Sequence, residues 1–372
     1  MNEDRATRYH RIKRRVGVLG LIWTVVLLAG LMWTGWSAGL RSTAESLAGH
    51  VVDSTAWPSV TVAVYVVLLT IVNEAGGLPM AFYSGYVVER RYNLSNETLS
   101  GWMADQAKSL GIGMVFGAAG ATLIYWLIRL SPDRWWLWGG ALFALIVIGL
   151  VNLAPVLLLP LFYSVKPLDR DALRNRLLAL AERAGARVLG AYEWGLAEKT
   201  KKANAALAGL GGTRRILVSD TMLAEYSDDE IEVVLAHELA HHVHGDIWKG
   251  IAFESALILA GFYAAAAALS ALASRFGLQG IADPAGLPLL LLAVGGVSVM
   301  MVPAAYALSR AHERAADRFA LELTKNPAAF ISAMRRLGAQ NLAEEQPSKL
   351  VEWLFYSHPP VRERIAAAQN TR

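Results

Sequence analysis

A His-Glu-x-x-His pattern lies in segment 235–246, LAHELAHHVHGD. Residues four positions apart share a helix face, so His237 and His241 can direct two imidazoles at one metal ion. Glu238 follows His237 and can reach a water on that ion more readily than the ion itself. Zinc lowers the pKa of such a water towards about 7, and a neighbouring carboxylate can accept its proton as attack begins. The pattern therefore predicts a metal-assisted hydrolytic site with Glu238 as the base.

A third protein ligand and an open position complete a catalytic zinc site. The chain has no cysteine, so the ligand must be His, Asp or Glu. Segment 308–321, LSRAHERAADRFAL, places Glu313 and Asp317 four apart on a predicted helix. We predict that Glu313 binds the metal and that Asp317 accepts a hydrogen bond from a ligating imidazole. Spacing leaves two alternatives open, His312 as the ligand and a solvated pair of Glu313 with Arg310.

A further histidine, His358, stands in the segment YSHPP (356–360). The two prolines stiffen the backbone and fix the direction in which the imidazole leaves it. Such a group could donate a hydrogen bond to a developing oxyanion, and the alternative is a loop histidine without a catalytic part. His242 and His244 have spacings that turn them away from the ligand face, so we expect both to be solvated.

The polar middle of the chain predicts the elements that carry these residues. Ser227 and Glu230 form a capping-box pattern, so a helix should span 227–244 and hold the paired histidines. Apolar residues at helical spacing predict an amphipathic helix over 169–185. Segments 202–208 and 215–220 read as two short strands around a glycine-rich turn.

The remaining sequence predicts a membrane protein. Fifty-five per cent of the residues are hydrophobic and 18% are charged, and the charges lie between long apolar runs. Six predicted spans occupy 16–36, 57–83, 110–130, 135–162, 251–273 and 288–308. The net charge of +4 does not indicate a nucleic-acid partner, because basic cytoplasmic loops give the same balance.

The positions of the basic residues predict the orientation of the chain. Lys and Arg concentrate in the N-terminal arm, the polar middle and the tail, which should all face the cytoplasm together with the active site. The predicted fold is mostly α: a polytopic membrane protein with about six transmembrane helices around a chamber, and a cytoplasmic zincin-like region with a small β element. We expect membrane region 1–165, protease region 166–250, two spans in 251–308, and region 309–372 with the third ligand.

Five ordered motifs resemble the type I CAAX prenyl endopeptidases, membrane zinc proteases that remove the last three residues of isoprenylated proteins. They are 74–99, 201–223, 235–242, 308–317 and 356–360, within a resemblance that extends from 57 to 364. The resemblance implies one Zn²⁺ held by His237, His241 and Glu313, with Asp317 and Arg310 beside the ligands and His358 contacting the transition state. It also implies that the strand with Asn204 and Ala205 pairs with an extended substrate.

The same resemblance implies a water-filled chamber lined by Asn73, Glu74 and Asn152, whose alternative use is hydrogen bonding between helices. Eukaryotic members have an additional first span and a longer insertion before the metal helix, so the compact chain is similar to a bacterial or archaeal member in the cytoplasmic membrane. The predicted partners are the bilayer and a peptide or protein substrate, including lipidated ones, with no nucleic acid. The oligomeric state has no signal in the sequence.

The predicted function is endoproteolysis near the C-termini of membrane-associated or lipid-modified, CAAX-like proteins. A second hypothesis within the same chemistry is general quality control of membrane proteins. A third, from another class, is a transporter whose zinc is structural; it is disfavoured because a structural zinc normally has four protein ligands.

Overall fold

The computed structural model of the protein describes residues 4–50, 57–209 and 214–370, with the backbone alone described at 57 and 151–157. Helices of the first half are α1 (Arg5–Thr34), α2 (Trp36–Gly49), α3 (Trp57–Phe82), α4 (Glu89–Arg91), α5 (Leu99–Leu130), α6 (Trp135–Leu157) and α7 (Leu159–Phe162). A π-helical segment, Tyr83–Val88, joins α3 to α4.

The described residues of the second half form eight α-helices and a small sheet. The helices are α8 (Asp171–Arg183), α9 (Asp220–Glu225), α10 (Asp228–Val243), α11 (Asp246–Leu272), α12 (Leu287–Thr324), α13 (Pro327–Gln340), α14 (Lys349–Phe355) and α15 (Val361–Gln369). The strands are β1 (Val165–Pro167), β2 (Ala191–Trp194), β3 (Ala205–Ala208) and β4 (Arg215–Ser219).

Five helical segments in the described residues are long and apolar enough to cross a membrane. They are Arg5–Thr34, Pro58–Arg91, Leu99–Leu130, Asp246–Leu272 and Pro284–Thr324. The remaining predicted span corresponds to α6, of which Trp135–Leu150 is a shorter apolar helix. The sequence did not predict α2, a 14-residue helix that starts after Gly35 has turned the chain with φ 75°. Its amphipathic, Ser- and Gly-containing sequence carries no long apolar run.

The polar residues expected in the chamber differ in what they contact. Asn73 Oδ1 accepts a hydrogen bond from Thr24 at 3.3 Å, and the Asn73 carbonyl accepts one from the Trp23 indole at 3.0 Å. Asn73 therefore joins α3 to α1, which is the interhelical alternative. Glu74 is half-buried, and Asn152 lies among the residues whose side chains are not described.

The four strands form one sheet in the order β1-β2-β4-β3. Two of them, β3 and β4, fall inside the two strands predicted from sequence, with narrower bounds. The strands β1 and β2 were missed because each has at most four residues and β1 contains Pro167, which weakens the strand signal. Since β3 pairs with β4 on one side only, it forms an edge of the sheet.

A continuous apolar core joins this sheet to the helix that bears the paired histidines. Leu177 of α8, Ile216 of β4, Ile231 of α10 and Phe330 of α13 are all fully buried in it. The predicted amphipathic helix corresponds to α8, and the predicted capping box caps α10, where Ser227 N donates to Glu230 Oε2 at 2.8 Å. The core holds α10 rigidly against its neighbours, which is what a metal helix requires.

The helix α12 is 38 residues long and connects the two halves of the molecule. Its first half is apolar, and its last four turns pack against α10 and carry Arg310, Glu313 and Asp317 as buried residues. One continuous helix thus carries the predicted third ligand directly from the membrane region into the polar region.

Candidate active site

Three predicted ligands meet where α10 packs against α12. Nε2 of His237 lies 3.2 Å from Oε2 of Glu313, and Nε2 of His241 lies 3.3 Å from Oε1 of the same carboxylate. One donor atom from each residue lies within 4.8 Å of the other two. The i, i+4 spacing on α10 and the crossing of α12 therefore place two imidazoles and one carboxylate around a common point.

The other ring nitrogen of each histidine has an acidic partner. Nδ1 of His237 lies 2.9 Å from Oδ1 of Asp317, and Nδ1 of His241 lies 3.1 Å from Oδ2 of Asp246. A carboxylate at Nδ1 favours the tautomer whose Nε2 carries a lone pair, which is the form that binds a metal. Asp317 was predicted from the sequence and Asp246 was not, although Gly245, with φ 68°, is the signal for a turn that returns Asp246 to His241.

The donor set fits a divalent cation. Oε2 of Glu313 is buried and has no hydrogen-bond partner in the described part of the chain. A buried carboxylate oxygen without a donor is costly unless a cation lies beside it. The competing candidate His312 lies outside this group, with its Nε2 3.6 Å from Asp246 Oδ1. The geometry therefore favours Glu313 over His312.

Arg364 on α15 is a second group of the site that was not predicted from the sequence. Its guanidinium donates to both oxygens of Asp317, at 2.8 and 2.5 Å, and lies 4.0 Å from Glu313 Oε2. Burial favours a neutral guanidine, but the paired Asp317 outweighs it and raises the pKa of Arg364. The bidentate pair fixes Asp317 under His237. Its only sequence signal was its position four residues after the proline pair.

The proposed base Glu238 is half-buried beside the two histidines. Burial is the main cause that raises its pKa, with Glu313 adding to it, while His237 and His241 act in the opposite direction. A carboxylate with a raised pKa is a stronger base than an exposed one, as proton abstraction from water requires.

The predicted His358 reaches the same point from the segment between α14 and α15. Its Nε2 lies 3.3 Å from Oε1 of Glu313, and its Nδ1 lies 2.9 Å from the Ser357 hydroxyl. When Ser357 donates to Nδ1, Nε2 carries the proton and can donate it to a bound substrate. The side chain is 61% exposed, so a substrate can reach it.

Arg310, which the resemblance places beside the ligands, contacts the chain segment that leads to His358. Within the described residues Arg310 forms no ion pair with Glu313; it donates to the carbonyls of Tyr356 at 2.6 Å and Glu352 at 3.2 Å. Arg310 lies three residues before Glu313 on α12, and its long side chain extends towards Glu352 at α14. It thus holds the chain segment that leads to His358.

The other two histidines of the motif segment do not join the site. His244 is half-buried, with its ring edge-on to Phe319 at 5.5 Å, so it is packed and not solvated as expected. Burial and Arg214 lower the pKa of His242, which is also half-buried.

The predicted substrate strand, β3, lies at the edge of the sheet and has one strand partner, β4. The Asn204 carbonyl accepts from Ser219 N on β4, whereas Ala203 N and O bond the Asn341 side chain on the other side. Backbone groups alternate sides along an extended strand, so Ala205 directs its N–H and C=O away from β4. That edge can accept an additional strand.

The pKa shifts predict a pH dependence for metal binding. Burial lowers the pKa of His237, but the neighbouring carboxylates of Asp317 and Glu313 together outweigh it and raise that pKa to about 9. Without metal, His237 therefore carries a proton at neutral pH, and a metal must displace it. We expect the zinc affinity to fall about tenfold per pH unit, hence about 100-fold from pH 8 to pH 6.

Competition with a chromophoric chelator at pH 6, 7 and 8 measures this slope. Asp317→Asn provides the matched variant: it replaces the charged carboxylate that raises the pKa of His237 with a neutral amide, so its slope should be shallower. An affinity that is constant from pH 6 to pH 8 would contradict the assignment.

Membrane-spanning helices, a His-Glu-x-x-His helix and a facing glutamate together define an integral-membrane metalloendopeptidase. Residues 167–372 match the sequence profile of Peptidase family M48, and residues 2–164 match the profile described as CAAX prenyl protease N-terminal, five membrane helices. The chain belongs to Peptidase family M48.

Similar proteins occur in bacteria and yeasts. The uncharacterized metalloprotease YhfN of Bacillus subtilis (strain 168) is 33% identical over 310 residues, covering 82% of this chain and 72% of that protein. CAAX prenyl protease 1 of Saccharomyces cerevisiae is 26% identical over 322 residues, with 81% and 70% covered. The crystal structure of S. mikatae Ste24p superposes with a TM-score of 0.86 at 22% identity, covering 98% of this chain and 88% of that one, and shows the same fold.

Proposed function

We propose that the protein holds one catalytic Zn²⁺ through His237, His241 and Glu313 and uses it to cleave peptide bonds. The observation that carries the proposal is the convergence of two Nε2 atoms on one buried carboxylate, each imidazole being oriented by its own acid. When bound, zinc supplies a Lewis acid and lowers the pKa of water.

Residues of the chain carry out proton transfer, oxyanion stabilisation and substrate binding. Glu238 accepts a proton from the attacking water as the new C–O bond forms, and it returns that proton to the amide nitrogen as the C–N bond breaks. His358 donates its Nε2–H to the carbonyl oxygen as negative charge develops there. The Ala205 edge holds the substrate backbone in an extended form, and Asn204 lies where that edge begins.

The proposed substrates are membrane-associated or lipid-modified proteins cut near their C-terminal ends. The similar yeast protein is by name a CAAX prenyl protease, which supports this substrate class. An apolar cavity of about 410 Å³ lies between α6, α11 and α12 and reaches His312, directly before the ligand Glu313. Such a cavity can take a lipid chain beside the scissile bond. General quality control of membrane proteins is the second candidate. It is favoured by the edge of β3 that has no strand partner, because pairing there would bind a substrate through its backbone and not its side chains.

We also propose that the membrane helices enclose a chamber and that the termini and the active site face the cytoplasm. The basic N-terminal arm supports this orientation. In the same arrangement the chain divides into membrane region 1–165, protease region 166–250, two spans in 251–308 and a second protease region 309–372. The two spans thus interrupt the protease region. A bacterial or archaeal cytoplasmic membrane is the proposed location.

A pair of peptides tests the substrate class. We expect the purified, zinc-loaded protein to cleave a farnesylated CAAX peptide with a kcat/KM at least about tenfold above its unprenylated twin, the effect of burying roughly two methylene groups. Mass spectrometry of the products gives the rates and the cut site, with Glu238→Gln protein as the control for contaminating proteases. Equal rates for the two peptides would contradict the lipid preference and favour quality control.

A further inference from the structure

The N-terminal end of α1 contacts the catalytic half of the molecule. His10 Nε2 lies 2.8 Å from the Leu342 carbonyl, and Arg14 reaches Glu344 and Tyr356. These contacts join residues more than 300 positions apart in the chain. Anchoring of the N-terminal end of α1 to lipid headgroups would not require these contacts with the catalytic half.

Arg14, Glu344 and Tyr356 form a closed triangle of hydrogen bonds. Arg14 Nη1 donates to Glu344 Oε2 at 2.6 Å and to the Tyr356 hydroxyl at 3.0 Å, and that hydroxyl donates to Glu344 Oε2 at 2.6 Å. The Glu344 side chain is only 5% exposed, so removal of Arg14 would leave a buried carboxylate without its counter-charge. The triangle therefore fixes the position of the Tyr356 ring.

Tyr356 is held at both ends and lies two residues before His358. Its hydroxyl belongs to the triangle, and its carbonyl accepts a hydrogen bond from Arg310 at 2.6 Å. The next residue, Ser357, contacts His358 Nδ1 at 2.9 Å. Two prolines follow His358 and restrict the backbone on its other side. The anchoring of Tyr356 therefore fixes the backbone from which the exposed His358 imidazole reaches Glu313.

The segment that supplies Glu344 also contacts the substrate strand. The Asn341 side chain accepts from Ala203 N at 3.1 Å and donates to Ala203 O at 3.2 Å. Leu342, with the unusual φ of 50°, turns the chain between that contact and Glu344. Arg14 contacts this segment at Glu344, whereas Asn341 makes its contact with the substrate strand.

We propose that the N-terminal arm of α1 positions the active site, with Arg14 as a positioning residue that acts on His358 through Glu344 and Tyr356. The inference rests on the proposed role of His358 at the oxyanion. Arg14 does not touch the metal ligands or the proposed substrate edge, so it should affect the rate of the chemical step and neither zinc content nor substrate binding.

The test is a double-mutant cycle on the full-length, zinc-loaded protein. We expect Arg14→Gln to lower kcat about tenfold, because a small displacement of a catalytic group has an effect of this order, with KM within about twofold of wild type and one zinc per chain retained. Arg14→Lys, which keeps one charged donor, should restore most of the rate. In the His358→Ala background, Arg14→Gln should change kcat by less than about twofold, because its target is gone.

Two further variants complete the design. Arg15→Gln is the matched control, since Arg15 is exposed and forms no ion pair among the residues that the structure describes, and it should retain wild-type kcat. Tyr356→Phe removes the hydroxyl alone and should show the same loss of kcat as Arg14→Gln. It tests the proposal independently in case Arg14→Gln does not fold. A normal kcat in Arg14→Gln and Tyr356→Phe, together with a lowered kcat in His358→Ala, would overturn the positioning role. An equal loss of kcat on Arg14→Gln replacement in the wild-type and His358→Ala backgrounds would also overturn it. A normal kcat in His358→Ala would instead contradict the proposed role of His358 at the oxyanion.

Discussion

Replacement of Glu238 by Gln is expected to lower peptide cleavage by about 10³-fold or more while the protein keeps its zinc. The amide has nearly the same shape but cannot accept the proton of the attacking water, and general acid–base groups contribute about 10²–10⁴-fold. Glu238 is not among the three residues whose donor atoms converge. Initial rates on a cleavable peptide, together with zinc content by elemental analysis, check both parts.

Glu322→Gln is the control for that experiment. Glu322 lies exposed on α12, outside the site, and its replacement should leave rate and zinc content unchanged. Wild-type cleavage by the purified Glu238→Gln protein would remove Glu238 from the mechanism. A loss of rate accompanied by a loss of zinc would instead make Glu238 part of metal binding.

Removal of the third ligand should have the second large effect. We expect Glu313→Ala to weaken zinc binding by more than about 100-fold and to abolish cleavage at micromolar zinc, because loss of an outer partner of a ligand alone costs about 10–100-fold. The reason is structural: Glu313 is the only carboxylate that faces both Nε2 atoms among the described residues. Isothermal titration of the metal-free protein with zinc measures the effect.

His312→Ala separates the two ligand candidates left open by the sequence. His312 lies beside Asp246 and outside the converging set, so its loss should reduce zinc affinity far less than loss of Glu313. A larger loss of zinc affinity in His312→Ala than in Glu313→Ala would show that His312, and not Glu313, is the third ligand.

The metal motif and the apolar runs could be predicted because both are local. The i, i+4 spacing of His237 and His241 and the capping box at Ser227 depend only on helix geometry. Membrane spans depend on length and composition, and five of the six predicted spans coincide with long apolar helices. The short strands β1 and β2 and the helix α2 were missed, because their local signals are weak and tertiary pairing stabilises them.

The identity of the third ligand is an intermediate case. Spacing on one helix allowed Glu313, His312 or a surface pair with Arg310, since all three lie within one turn. The rotation of α12 against α10 selects Glu313, turns Arg310 towards Tyr356 and places His312 by Asp246. That rotation is decided by the packing of buried side chains over both helices, which no single segment encodes.

By itself the sequence determined that two imidazoles and a base share one helix and that the chain crosses a membrane, because these properties are periodic and local. Only the tertiary structure decided which carboxylate meets the imidazoles, that Asp246 and Arg364 complete the network, and that Arg14 reaches Glu344 from 330 residues away. Contacts between distant segments depend on how whole helices pack, and that packing is the property a motif cannot contain.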